Sequence, residues 1–463
     1  MNNTKTTKRA LLSGIMAMLL CVTMLIGSTF AWFTDSASTA VNKIQAGTLD
    51  VALEMKNADG TWVNAEGQTL KWKTADNRDQ DKILWEPGCT YELQPVVIKN
   101  NGNLALKYKI VISGINGSAK LNEAIEWTIN DTNLATDHPL LAGRSDTLTI
   151  KGHMKETAGN EYQDLSIDSI GITVVATQDT VESDSFDDQY DANAKYDPNV
   201  VSNNTEAQNS IMTAGSAGQK IVNVLLSDDV TLDLDANGGY YDATLGGTDS
   251  EAVTIDANGN KITFDSDYRN VINCYGKLTI SNAELDSTYK TSGSTWDDYA
   301  LLFRYHEGGA NEVVFNNVTF DRQVAIEKGV KATFNNCTIN QTAATGDMYA
   351  LWICAGADVT LNDCTINSVN PNAGSLNRAI KIADEYISPP TLTKLSVSGT
   401  KFISQKKAAV LVTSTAGANI VWGVGNDISG VDADKVNAVW NDSARTAAWD
   451  YVTVTGCTKH QET

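Results

Sequence analysis

Apolar and polar residues change places every second position, in short runs, from residue 41 to 178. "TLDVALEM", "TYELQPVVIKN", "LALKYKIVIS", "SDTLTIKG" and "IDSIGITVVATQ" carry this alternation, with Gly, Asn and Pro between them. A two-residue period is that of strands with one face buried. One short helix fits at "LNEAIEWTI". Half a dozen or more strands at this spacing predict an antiparallel sandwich over residues 32–178. After Gln178 the alternation stops. "DTVESDSFDDQYDANAKYDPNVVSNN" is rich in carboxylates and poor in aliphatics, so it buries too little to offset its own ordering. Residues 179–218 are therefore expected to be an acidic linker. It ends in "NTEAQNSIMTAGS", a helix-compatible stretch suited to capping the open end of a repeat region that begins at residue 219.

From residue 219 to 457 the chain repeats itself. "VVFNNVTFDRQ", "ATFNNCTINQT" and "VTLNDCTINSV" are near copies, and "LTISNAELDST" and "LSVSGTKFISQ" are looser ones. Each follows another short apolar strand, and Val271, Leu301, Val324, Leu351, Ile380 and Val410 recur 23 to 30 residues apart. That is one coil of three short strands and three turns. It buries its inward side chains only by stacking on its neighbours. The prediction is a right-handed parallel β-helix of roughly seven coils, followed by a tail at 458–463, which makes the whole chain all-β. Cys337 and Cys364 fall at one position of adjacent coils. Parallel side chains on strands about 4.8 Å apart sit badly for an unstrained disulfide, so both are read as core thiols. The asparagines at 316, 317, 335, 336 and 362 recur at one corner and read as a ladder satisfying turn backbone.

The first residues are of a different kind. Lys5, Lys8 and Arg9 precede the uncharged apolar run "ALLSGIMAMLLCVTMLI", and Thr29 and Ala31 place small residues ahead of a cut. Residues 1–31 are expected to be a signal peptide cleaved between Ala31 and Trp32, the alternative being an uncleaved anchor. Leu20 before Cys21 argues against lipidation, and "TGCTKHQET" carries no wall-sorting signal. Cleavage would remove three cations and take the net charge from −21 to −24. So acidic a chain is not expected to partner nucleic acid or anionic lipid. Six cysteines beyond the leader are too scattered for a disulfide scaffold.

Candidate chemistry is sparse. His138, His153, His306 and His460 form no pair at metal-ligand spacing. "DLDANGG" starts like a calcium loop at Asp233 and Asp235 but places Thr244 where the bidentate Glu belongs, so no metal is assigned. Asp297 with Asp298 and Asp384 with Glu385 are carboxylate pairs in expected loops, and Arg378 and Lys381 lie near a strand without an acidic motif beside them. No catalytic residue and no cofactor is assigned; a carbohydrate-active enzyme is the main rival reading. Trp296, Tyr299, Tyr305 and Tyr349, with Trp352, lie in or beside long loops. They are candidate glycan contacts, the plainer reading being that they shield the coil surface.

Three blocks carry a family resemblance. They are "GSTFAWFTDSAS" (27–38), "IQAGTLDVAL" (44–53), and "EPGCTYELQPVVIKNNGNLALKYKI" (86–110), with "VVATQ" ending at Gln178 as a weaker fourth. Over residues 1–180 the chain resembles the TasA/camelysin family of proteins exported by Gram-positive bacteria. The resemblance implies processing by a SipW-type signal peptidase, a jelly-roll-like sandwich fold, and secretion into biofilm matrix or onto the cell surface. It also implies fibre growth by head-to-tail lending of an N-terminal strand. Trp32, Phe33, Thr34 and Asp35, within 32–39, would form that donor strand, so that its aromatics are buried on another molecule. Two alternatives stay open, docking onto their own sandwich and mere recognition by the peptidase. Camelysin-like members are linked to metal-dependent proteolysis, which no residue cluster here supports. The expectation is an exported structural or adhesive protein, not an enzyme, presenting its β-helix to a polysaccharide or host surface. A non-catalytic glycan-binding adhesin is the third reading.

Overall fold

The computed structural model describes residues 49–461 except 67, 69, 74–78, 81–82, 118, 135, 180–193, 213–218, 236–242, 248–249, 267–270, 289–300, 342–348, 370–377, 385–389, 405–408, 432–437 and 442–449. The alternating runs become strands, antiparallel in the N-terminal region and parallel thereafter. In chain order the first strands are β1 (Val51–Lys56), β2 (Trp62–Asn64), β3 (Trp72–Lys73), β4 (Asp79–Gln80), β5 (Thr90–Leu93), β6 (Val96–Asn100) and β7 (Leu106–Gly117). After helix α1 (Ala119–Glu123) come β8 (Ile125–Ile129), β9 (Thr132–Asn133), β10 (His138–Leu140), β11 (Ser145–Leu148), β12 (Ile150–Met154) and β13 (Ile167–Gln178). They form three antiparallel sheets, β11-β6-β1-β2, β10-β7-β13 and β4-β3-β5-β12-β8-β9.

Inward residues at every second position, among them Val96, Ile98, Leu106, Tyr108, Ile110, Ile129, Leu148 and Ile150, close a core between these sheets. "LNEAIEWTI" divides differently from expectation. The helix takes "AKLNE", and "IEWTI" is strand β8, paired with β12 from Ile125↔Met154 to Ile129↔Ile150. β-Branched Ile125 and Ile129 gain more from this buried face than the segment gains from helix propensity. Gly152 of β12 makes room for Trp85 and Trp127; a Cβ there would lie 2.8 Å from Trp85 Cη2.

The repeats wind into a parallel β-helix, with one sheet of sixteen strands and one of nine. The inward ladder Leu301↔Val324↔Leu351↔Ile380↔Val410 follows the expected register. Val271 does not: it pairs with Leu302, so Ile272 points inward in its place. Nine rungs exceed the expected seven because the last two, Val439–Asn441 and Lys459–Gln461, fall where the sequence repeat has faded. Phe315, Phe320 and Phe334 stack through the middle of the core, with Phe315 and Phe334 ring centres 5.0 Å apart. At the corner, Asn282, Asn317, Asn336 and Asp363 adopt positive φ, which Asn and Asp tolerate.

The parallel sheet begins earlier than residue 219. Strand β14 (Asn199–Val201) pairs with β15 (Ile221–Leu226) as its first rung. Between them lies helix α2 (Asn204–Ala207), whose N-cap Asn203 accepts from Glu206 N while Glu206 accepts from Ser202 N at 2.8 Å. Glu206 thus reaches back one residue further than in a capping box, to the residue before the N-cap. Ala207, Ile211 and Met212 plug the end of the solenoid core. The two halves touch: Val111 and Val175 of the sandwich pack with Val200 and Leu225 of the solenoid. Tyr196 donates to Asp137 and lies beneath Lys109, and Asn258 Nδ2 donates to Ile112 O. The stretch expected to be an acidic linker and helical cap contributes packed residues from 194 onward, ahead of the cap itself, while 180–193 lie outside the described residues.

Candidate functional site

The most site-like feature of the sandwich is a place where two strand edges face a groove. β13 is bonded along one edge to β7, from Ile167↔Gly117 to Gln178↔Leu106, and among the described residues no strand occupies its other edge. β1 is fully paired with β6, but its ladder with β2 stops at Glu54↔Asn64, extended only by the bond from Ala65 N to Leu53 O. Between these edges runs a groove of about 600 Å³ lined by Val51, Leu53, Ala65, Leu70, Ile172 and Val174. Leu53, Leu70, Ile172 and Val174 are only partly buried although they join the core. Open backbone donors and acceptors beside incompletely covered aliphatics are what an added strand recognises. Ala31, the expected cleavage position, and Trp32, Phe33, Thr34 and Asp35 lie outside the described residues, ahead of β1 in the sequence.

Of the candidate glycan contacts, the two among the described residues, Tyr305 and Tyr349, sit in different surroundings. Tyr305 is 46 % exposed and lies over Gly329, with one flank turned out. Tyr349 is 6 % exposed, because it opens the strand Tyr349–Cys354 and packs edge-on against Trp352. Lys381 sits over both rings, 4.1 Å from the Trp352 centroid and 5.1 Å from that of Tyr349, so this basic residue is held as a cation–π partner. Trp296, Tyr299, Asp297 and Asp298 lie outside the described residues, as does Glu385. Asp384 accepts from Thr415 N at 2.7 and 2.9 Å and from its hydroxyl, which makes it a turn clasp.

The solenoid also assembles a cluster that the sequence hides. Lys261 Nζ binds Glu284 at 2.8 Å and Asp286 at 3.0 Å, and Arg322 Nε approaches Asp286 at 3.4 Å. Burial, followed by a hydrogen bond to Glu284 and that residue's charge, raises the Asp321 carboxyl to about 6. Asp286 moves the other way: burial opposes it, yet the bond from Lys261 holds its carboxyl below the usual range. Two acids sharing a proton with a lysine beside them resemble acid–base machinery. Glycoside hydrolysis, however, separates its carboxyls by about 5 Å or more, and the pair Glu284–Asp321 is in hydrogen-bond contact. The asparagine corner is the expected ladder: Asn335 Nδ2 donates to Asn316 and Asn362 Nδ2 to Asn335, each at 2.9 Å.

Cys337 and Cys364 are free and buried, each Sγ donating to backbone carbonyls, Phe315 and Asn335 for the first and Phe334 and Asn362 for the second. Burial and then the charge of Glu327 push the Cys274 thiol up to about 12. The Cys274 environment therefore disfavours the thiolate that reactive cysteines need.

Residues 6–61 match the sequence model of a family described as camelysin metallo-endopeptidase. No curated protein and no solved structure matches the chain. The match spans the leader, the candidate donor strand and β1, and stops before most of the sandwich. The metal such a description implies finds no donor set here. The matched segment holds no His and a single Cys, Cys21 within the leader run. Among the described residues no three His, Cys, Asp or Glu side chains converge as ligands. Among the described residues, too, no helix is long and apolar enough to cross a membrane.

Proposed function

We propose that this is an exported structural protein of a Gram-positive cell surface or matrix, built to assemble head to tail and to carry its solenoid outward. SipW-type processing after Ala31 would free Trp32 as the new N-terminus. Residues 32–39 of one copy then lie as a strand in the groove between β1 and β13 of the next, burying Trp32 and Phe33 there. The observation that carries this reading is the groove itself, aliphatic on its floor and flanked by the edge of β13 that has no described partner and by the start of β1, beyond the end of its ladder with β2. The family match over the leader and β1 supports export by the same route. Burial of the two aromatics would contribute roughly 1.5–3 kcal/mol each, less the cost of ordering the segment. The contact is heterologous and does not close, so it builds filaments and not rings.

The carboxylate cluster around Lys261 does not favour the enzymatic alternative, because its groups are consumed by one another. The test uses purified residues 32–463 and electron microscopy. Fibres are expected from this chain and none from one lacking residues 32–40. The shortened chain keeps its groove, so it should cap growing fibres of the full one, and Ile172→Lys should abolish that capping. Fibres from the shortened chain would refute strand lending.

A further inference from the structure

Three outer faces run along the solenoid, and they differ. One carries Thr263, Asp286, Asp321, Asn340 and Asn367, and includes the charged cluster around Lys261. Another carries Leu302, Ala325, Trp352, Lys381 and Leu411, a mixed and largely buried row. The third is built by Ala252–Asp256 and Thr393–Ser398, with the N-terminal parts of Lys277–Ser287 and Glu312–Phe320 and the strands Lys331–Asn335 and Asp358–Asn362 between them. Its central row reads Thr254↔Thr279↔Val314↔Thr333↔Thr360↔Ser396 in unbroken register. Over six rungs nothing in that row is charged and nothing is larger than valine. At the spacing of paired strands, about 4.8 Å, it extends roughly 24 Å.

The rows on either side complete the pattern. Toward the corner, Asn316 donates to Ser281, Asn335 to Asn316, Asn362 to Asn335, and Ser398 to Asn362. Each amide spends one N–H on its neighbour and keeps a second. On the other flank Lys277, Glu312, Lys331, Asp358 and Lys394 alternate in sign, with Lys277–Glu312 at 3.1 Å and Lys394–Asp358 at 3.7 Å. The hydroxyls of Thr254, Thr279, Thr333 and Thr360 have no hydrogen bond within the described protein. β-Propensity accounts for threonine on a strand, but not for the exclusion of every charge and every long side chain from one row alone.

We infer that this flat face is a contact surface for an extended, uncharged polysaccharide lying along the solenoid axis. Free hydroxyls and spare amide N–H groups at a regular repeat can exchange hydrogen bonds with a hydroxyl-bearing polymer that repeats in the same direction. The face has no aromatic or large aliphatic anchor, so it lacks what concentrates binding energy in a protein–protein contact. Its own charges cancel, the lysines Lys277, Lys331 and Lys394 against the carboxylates of Asp256, Glu312 and Asp358, on a chain of net charge −21. An anionic polymer would therefore gain little on the face and be repelled by the rest. That the face is presented outward from a filament rests on the assembly proposed above; the binding itself does not.

Co-sedimentation of residues 32–463 with particles of cellulose and of chitin tests the inference. It is run in parallel on the chain lacking 32–40, so that loss of fibres and loss of binding are read separately. Binding to at least one neutral polymer is expected with or without residues 32–40. The triple substitution Thr279→Lys, Thr333→Lys and Thr360→Lys should weaken it roughly ten-fold or more. The near-isosteric triple change to Val, which leaves strand preference intact, should weaken it by a smaller but clear factor. Asp321→Asn, on another face, should leave it unchanged. Equal binding by the Val variant and the parent overturns the proposal. So does binding confined to a carboxylated polymer such as polygalacturonate, or none to either neutral one.

Discussion

The solenoid strand Lys331–Asn335 is bonded on both edges, to Glu312–Phe320 before it and Asp358–Asn362 after it, whereas β13 of the sandwich is bonded on one. Both modules are built from short β-strands, yet they treat backbone edges in opposite ways. In the solenoid every coil completes its neighbour, the first rung is covered by α2, and identical residues stack. In the sandwich one place is left for a strand that the described residues do not supply. A stack of this kind gains by repetition and offers flat faces; an open sandwich gains by receiving something. The division of labour proposed here, display by one half and assembly by the other, arises from that difference.

The comparison breaks most severely at the solenoid core. Phe334 is fully buried and stacked on Phe315 at 5.0 Å, so Phe334→Ala should cost about 3–5 kcal/mol. Each coil leans only on its neighbours, so hydrogen exchange should accelerate first in amides of 313–339, while those of β6 and β12 stay protected. Uniform loss of protection across both halves would mean that the junction at Val111, Val175, Val200 and Leu225 makes them one cooperative unit.

A smaller effect is expected in the sandwich. An added Cβ at Gly152 would meet Trp85 Cη2 at 2.8 Å, Ile125 Cγ2 at 3.0 Å and Trp127 Cζ3 at 3.1 Å. Gly152→Ala should therefore cost about 1–3 kcal/mol by overpacking. It should also change the near-ultraviolet circular dichroism of the cluster, in which Trp72 and Trp127 stack at 5.9 Å and Trp72 meets Trp85 edge-on at 5.4 Å. An unchanged aromatic signal with lowered stability would place the strain in the backbone instead.

How much of this is legible in the sequence differs between the halves for a physical reason. In the solenoid, contact partners recur at a nearly fixed distance in sequence. The inward row through Leu285, Phe320, Ile339, Ile366 and Phe402 can therefore be aligned by eye, and it pairs as aligned. The phase of a three-residue strand such as Val271–Asn273 cannot be fixed that way, because adjacent apolar residues fit either face. Tyr349 reads as a loop residue because an aromatic beside a long polar stretch gives no hint that it begins a fully buried strand. In the sandwich, partners are set by which strands become neighbours: β1 lies between β6 and β2, and the groove exists because β13 comes near β1. No spacing in the sequence encodes that. The cluster of Lys261, Glu284, Asp286 and Asp321 escapes sequence reading for the same reason, since its members converge only once three coils are in register.

That cluster supplies the smallest effect and the finest comparison, because it sets a titrating carboxyl on one solenoid face while the central row of the face beside it carries no ionisable group. The Asp321 carboxyl is lifted from about 3.8 to about 6, by burial first and by Glu284 second. Between these values the folded chain keeps a proton that the unfolded chain has released. Its contribution to stability is therefore complete below pH 4 and is lost as the pH rises through 6. Because the side chain is only half-buried, solvent screening leaves about 1 kcal/mol of this, and the titration belongs to the pair with Glu284. Asp321→Asn should match the parent in urea midpoint at pH 4 and exceed it at pH 7.5, flattening the profile between. Asp229 is also raised, by its burial, although Lys261 N donates to it at 2.7 Å. If the slope persists in Asp321→Asn and disappears in Asp229→Asn, the proton lies on Asp229, two coils before Glu284.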